Sequence, residues 1–288
     1  MSITTECMIV NLQIGVWQGY RLDKDASRRV TEDAGADRDA ARVNKHLVPK
    51  EALKGIVAAS GAVRTHFYAQ TLPWKDNGDR LLPRRRYMRF IAEHSGLVHE
   101  FEAAVEAFLS NTYLAARDGA EFRMGELFKA DDYPRPDALR GRFYAKLDID
   151  PVTEAGDFRV ALDNDATDAV RRSIEDALKE RIGRAMADVW ARLQDTLGHF
   201  AAKMADTDAV FRDSTVKNLE EIIDILPDLN ILNDPNLERI AEDMRRTLSG
   251  YDAKTLRGDV TQRAQAAAEA QRIMDDMAGF MNAFGGGS

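Results

Sequence analysis

The sequence is poor in the residues that would make its chemistry obvious. It has a single cysteine, Cys7. One cysteine rules out an intrachain disulfide framework and leaves too few thiolates for a cysteine-based zinc site. Cys7 sits in an apolar run, so it reads as a small buried hydrophobe. Nowhere do some ~18 apolar residues follow one another, so no membrane-spanning helix is expected. The N-terminus lacks a basic region followed by an apolar one, so no signal peptide is expected and a cytoplasmic location is the reading. Phosphate-binding Gly-rich loops, HExxH and Gly-x-Ser-x-Gly are all missing, and none of the five histidines forms an i, i+4 pair. No catalytic residue, metal site or cofactor is assigned on this basis.

What is present supports a folded protein. Hydrophobic residues make up 44% and charged residues 31% of the 288 positions, enough to build a core with a charged surface. The net charge of -8 argues against a surface that coats nucleic acid throughout; any such contact must be a local patch.

Periodicity organises the chain. Met8, Val10, Leu12, Ile14 and Val16 alternate with polar or small residues, which predicts a half-buried strand. Asp23 to Arg42 is polar and aperiodic and reads as a loop. A helix is expected from Pro49 to about Thr71, with Leu53, Ile56, Val57, Val63 and Phe67 on its apolar side. Leu72 to Gly78 carries turn chemistry, ending in Asn-Gly. A second helix follows Pro83 to about Arg117, with Met88, Ile91, Val98, Phe101, Val105, Phe108 and Leu109 marking its buried side. Phe143 to Ile149 and Phe158 to Leu162 suggest a hairpin whose third partner is the Met8–Val16 strand. From about Asp165 a single amphipathic helix of roughly 40 residues is expected, with Val170, Ile174, Leu178, Ile182, Val189, Leu193, Leu197, Phe200 and Met204 in its stripe. Helices near 214–226, 235–249 and 252–284 complete the pattern. The fold class is therefore α+β and mainly helical: a small three-stranded sheet on helices, a long helical arm and C-terminal helices. The expected division is an α+β domain at 1–163, a helical region at 164–284 and a linker or tag remnant at 285–288.

Arg80, Arg84, Arg85, Arg86 and Arg89 form the sharpest local feature, with no acidic residue between Arg80 and Ala92. Cations in the first turn of a helix oppose its dipole, so the cluster invites an anionic partner, with Trp74 and Tyr87 near enough to stack on bases. The plainer alternative is pairing with the many Asp and Glu residues. Asp148, Asp150 and Asp157 flank the expected hairpin and could hold a divalent ion in a nuclease-like enzyme, but turn carboxylates are the simpler reading. Met274, Met277, Phe280, Met281 and Phe284 crowd the end of the last helix; adaptable methionine and aromatic side chains there suggest self-association, or a fold-back onto the long helix.

One resemblance adds to this. Lys45 with Leu47, Thr71-Leu72-Pro73-Trp74, Arg80-Leu81-Leu82-Pro83, Asp132-Tyr133-Pro134 and Asp157-Phe158-Arg159-Val160, in that order, resemble an uncharacterised phage and mobile-element family, a domain of unknown function. The resemblance runs from about Met8 to Trp190. Members are often encoded near recombination genes and a MoxR-type AAA+ ATPase with a von Willebrand A partner. It implies a non-enzymatic viral accessory protein acting by binding and assembly, in DNA metabolism or as adaptor for the ATPase, and it assigns no catalytic residue. Direct nucleic-acid binding through Arg80–Arg89 is the alternative, a metal-dependent nuclease-like enzyme the next. The expected partners are further copies of the chain, an AAA+ ATPase or other phage protein, and nucleic acid, with no membrane.

Overall fold

The computed structural model describes residues 3–160, 163–206 and 212–285. Along the chain run α1 (Ile3–Glu6), β1 (Cys7–Gly15), β2 (Tyr20–Asp23), α2 (Lys24–Asp33), β3 (Val43–His46), α3 (Lys54–Gln70), β4 (Leu72–Pro73), β5 (Arg80–Pro83), α4 (Tyr87–Ala107), α5 (Tyr113–Asp118), α6 (Ala120–Met124), α7 (Pro136–Arg140) and β6 (Tyr144–Pro151). Then come α8 (Asn164–Ala205), α9 (Asp213–Leu229), α10 (Pro235–Thr247), α11 (Ala253–Gly258) and α12 (Val260–Gly285). The protein is α+β and predominantly helical, as its periodicity predicts. Among the described residues, no helix is long and apolar enough to cross a membrane.

Two compact units emerge, and they do not divide at residue 163. The first comprises residues 1–11, 70–88 and 149–288; the second comprises 12–69 and 89–148. The expected boundary fails because strand residues near the N-terminus share a core with the C-terminal helices. In the first unit Ile9, Leu72, Trp74 and Leu81 belong to the same buried cluster as Val189, Leu193 and Leu197 of α8, Leu219 and Leu226 of α9, Ile240 and Met244 of α10, and Ile273 of α12.

The main sheet has the order β4-β5-β1-β6. It therefore has four strands where the alternation suggests three. β5 pairs antiparallel with β1, setting Cys7 opposite Pro83 and Val10 opposite Arg80, and β4 pairs antiparallel with β5. The β4–β5 turn uses Gly78 at φ +95°, a conformation that favours glycine. The expected strand at Phe158–Leu162 does not form over 158–160; Ala161 and Leu162 lie outside the described residues. A 3-10 turn at Ala155–Asp157 sends the chain onward instead, with Asp157 Oδ2 accepting from Glu154 N–H at 2.8 Å.

α8 runs for 42 residues, about 63 Å at 1.5 Å per residue. Asp163 caps it by accepting from Ala166 N–H. At its other end the buried Arg263 of α12 donates to the carbonyls of Lys203 and Asp206, satisfying acceptors that a helix terminus leaves open. α12 lies along α8, where the fully buried Ala266 and Ala270 allow close approach.

The second unit packs Trp17, Leu47, Val48, Ile56 and Val63 with Phe101, Val105, Phe108, Tyr113, Leu139 and Phe143. A π-turn at Phe108–Thr112 joins α4 to α5. Tyr113 donates its hydroxyl proton to Pro134 O at 2.6 Å, so the Asp132-Tyr133-Pro134 corner is packed. Met88, expected on the buried side of the second helix, is 78% exposed. Residues 23–42, expected as a loop, contain α2. Its buried face is Ala26, Ser27 and Thr31, which carry no large apolar group for a periodicity argument to detect. β2 and β3 form a separate antiparallel pair, Tyr20 opposite His46. Gly19 just before it has φ +68°, and a Cβ there would lie 2.8 Å from Leu53 Cδ1.

Candidate functional site

The arginine segment does not form one patch. Arg80 donates through Nε to Thr71 Oγ1 at 2.7 Å and through Nη2 to Thr71 O at 2.9 Å. Arg84 donates to Glu6 Oε1 at 3.1 Å. Arg86 is 2% exposed and spans Gln70 Oε1, Asp228 Oδ2 at 3.4 Å and Asp224 Oδ2 at 3.9 Å. Arg89 pairs with Glu93 at 2.8 Å, one turn along α4. Arg85 is the exposed member without a hydrogen bond or ion pair among the described residues. Trp74, offered as a stacking platform, is 3% exposed in the core of the first unit, with the Arg181 guanidinium 5.8 Å from its ring centroid. Tyr87 is half-buried. Separate partners, Thr71 for Arg80 and carboxylates for Arg84, Arg86 and Arg89, thus claim the cations that adjacency in sequence groups together.

The carboxylates near β6 are equally dispersed. Asp148 accepts from Gln13 Nε2 at 2.9 Å, Asp157 closes its own turn, and Asp150 is exposed. Among the described residues, no group of three or more His, Cys, Asp or Glu side chains is placed to hold a metal ion. Cys7 is buried, and burial, followed by the charge of Glu6, pushes its thiol up to about 12. Such a thiol is a poor nucleophile.

The most concentrated charge lies in the second unit. Lys45 of β3 is 5% exposed. Its ammonium donates to Asp23 Oδ2 at 3.1 Å, to Leu127 O at 3.0 Å and to Asp132 Oδ2. Asp132 Oδ1 takes Arg21 Nη1 at 2.8 Å. Asp23 also caps α2, accepting from Ala26 N–H at 2.9 Å. That backbone bond, helped by Lys45, outweighs burial and holds the Asp23 carboxyl below its ordinary range. Burial works against the Lys45 charge, but the bonds to Asp132 and Asp23 outweigh it and hold its pKa above the ordinary value. Arg21, Lys24, Lys45 and Lys129 balance Asp23, Asp25, Asp131 and Asp132 around a cleft of about 860 Å³. All three donors of Lys45 are engaged, so at neutral pH it is a fixed ammonium that locks β2, β3 and α2 to residues 127–132. Lys45 and Asp132 both belong to the segments quoted for the phage-family resemblance. Asp23 carries one local signal of its place, an aspartate three residues before a helical N–H.

The third feature is a gradient along α8. From Ala185 onward, Val189, Leu193, Leu197, Phe200 and Met204 are buried. Before Ala185, Val170, Ile174, Leu178 and Ile182 are only half-buried. The end of α12 behaves differently from its reading as a self-association site. Met277 is buried; Phe280 sits 6.5 Å from Trp190 and beneath Arg239, 4.4 Å from its ring centroid; Met274 lies beside Gly198. The fold-back within one unit accounts for these three. The side chains of Met281 and Phe284 lie outside the described residues.

No family model, curated protein or solved structure matches this chain.

Proposed function

We propose that the protein works by binding and assembly rather than by catalysis, and that the first half of α8 is its contact surface. The carrying observation is the half-covered stripe of Val170, Ile174, Leu178 and Ile182 on a helix whose stripe is buried from Val189 onward. An apolar stripe of some 20 Å is the kind of surface that a partner helix covers. The occupant is a second copy of the chain. At 100° per residue, Arg171 and Glu175 share one edge of the stripe, one turn apart. A two-fold antiparallel copy sets each Arg171 against the other's Glu175. From the resemblance to the phage family we infer that this assembly serves phage or mobile-element DNA, or an AAA+ ATPase. Direct nucleic-acid binding would have to rest on Arg84 and Arg85, which is a smaller patch than the sequence suggests.

Light scattering on the wild type and on Ile174→Asp tests the reading. A dimer or higher oligomer at micromolar concentration, lost in the variant while its circular dichroism is kept, is the expected result. A wild type that stays monomeric sinks it.

A further inference from the structure

The second unit contains a buried arrangement that none of the features above uses. Phe90 and His94 lie one turn apart on α4, and His66 faces them from α3. The Phe90 ring is stacked with both imidazoles: each centroid separation is 5.2 Å and each interplanar angle 18°, and the two imidazole centroids are 6.0 Å apart. Phe90 is fully buried and His94 is 5% exposed. His94 Nδ1 is buried without a hydrogen-bond partner. The charges facing the stack differ at its two ends. His66 Nδ1 lies 3.7 Å from Glu93 Oε2, and Glu93 also holds Arg89 of the same helix. Arg64 of α3 is engaged by Ser60. Among the described residues, no carboxylate is paired with His94.

We propose that the His66–Phe90–His94 stack is an acid-opened latch between α3 and α4. With neutral imidazoles the three rings form an apolar layer. A proton on His66 is tolerated, because Glu93 lies beside it and an imidazolium can rest on an aromatic face. A second proton on His94 puts two cations in one dry layer, one of them without a counter-ion. The stack then separates so that His94 can reach water. Burial, and then the charge of His66, lower the His94 pKa from its ordinary 6.5. The sign follows directly. An unfolded or opened His94 binds a proton as the pH falls through 6.5, whereas the stacked one does not. The latch therefore contributes fully above that pH, weakens as the pH falls, and reaches its minimum once the pH is below the depressed folded value.

The full-length protein provides the test. The imidazole Cε1–H signals are titrated by NMR between about pH 8 and pH 5. Hydrogen exchange over α3 and α4 is followed across the same range, corrected for the intrinsic pH dependence of exchange. The expected result is a His94 midpoint below 6.5 and a loss of protection over α3 and α4 as the pH falls through that range. His94→Gln abolishes that pH-dependent loss. His66→Gln moves the His94 midpoint upward, and this second readout does not depend on His94→Gln folding. Constant protection in the wild type, or the same loss in His94→Gln, overturns the latch, as does a His94 midpoint that His66→Gln leaves in place.

Discussion

At the scale of single residues, buried charge has been spent on holding the protein together. Lys45 is the clearest case, since its three donors all point at acceptors within the second unit. Lys45→Met leaves Asp23 and Asp132 buried without their cation. It should cost about 3–5 kcal/mol, measured by urea unfolding; a loss under ~1 kcal/mol would mean that water already screens the cluster. The same network sets a pH window. The lowered Asp23 carboxyl contributes stability that is present above its ordinary 3.8 and is lost as the pH falls through its folded value. The raised Lys45 contributes stability that is present below 10.5 and is lost as the pH rises through its folded value. Stability from the cluster should therefore be flat across neutral pH; Lys45→Met should lose the alkaline limb and keep the part of the acid limb that the Ala26 N–H bond supplies. Arg85 and Arg86 make a matched contrast one residue apart. Arg86→Ala removes a buried cation from Asp224 and Asp228 and should lower the melting temperature, whereas Arg85→Ala should change stability by no more than ~0.5 kcal/mol. If Arg85→Ala together with Arg84→Ala also leaves any salt-sensitive affinity for DNA unchanged, the arginines have no role in nucleic-acid binding.

At the scale of elements, α8 carries the sharpest expectation because one helix samples two environments. Leu193→Ala in its buried half should cost about 3 kcal/mol, the transfer and cavity terms of a core leucine. Ile174→Ala in the half-covered stretch should cost the isolated chain under ~1 kcal/mol and act on assembly instead. Equal losses from thermal unfolding of the two variants would remove the distinction between the halves. α8 was legible from the sequence because its stripe is long and built from large side chains. α3, α4, α9 and α10 were legible for the same reason, reinforced by Pro49, Pro83 and Pro235 at their starts. α2 was hidden because it buries alanine, serine and threonine. β5 was hidden because Arg80-Leu81-Leu82-Pro83 reads more strongly as the approach to a helix. The ionic cluster was only partly visible: Lys45 and Asp132 stand 87 positions apart in the numbering, and nothing local announces that Asp23 completes them. The arginine run illustrates the opposite error. Adjacency in sequence looks like a patch, yet successive residues of a helical turn point about 100° apart and meet different partners.

At the scale of the molecule, the first unit draws on three separate stretches of chain. A fragment beginning at residue 164 lacks Ile9, Leu72, Trp74 and Leu81, all members of its core cluster. Each buried large side chain is worth some 1.5–3 kcal/mol, so the fragment should melt well below the intact protein, or without a cooperative transition. A fragment that matched the full chain in circular-dichroism melting would show that the helices alone are a domain. The cover that α12 gives α8 has a consequence in time as well as in space. During synthesis β1 emerges early and α12 late, and Ile9 must wait for companions in the core that have not yet been translated. Contacts so distant along the chain are costly to close and slow to form. The core that Leu193, Leu197 and Phe200 share with Ala266, Ala270, Ile273 and Met277 is incomplete until that last segment leaves the ribosome. That interval, rather than the finished fold, is when this chain is most exposed to aggregation, and when a chaperone would have the most to do.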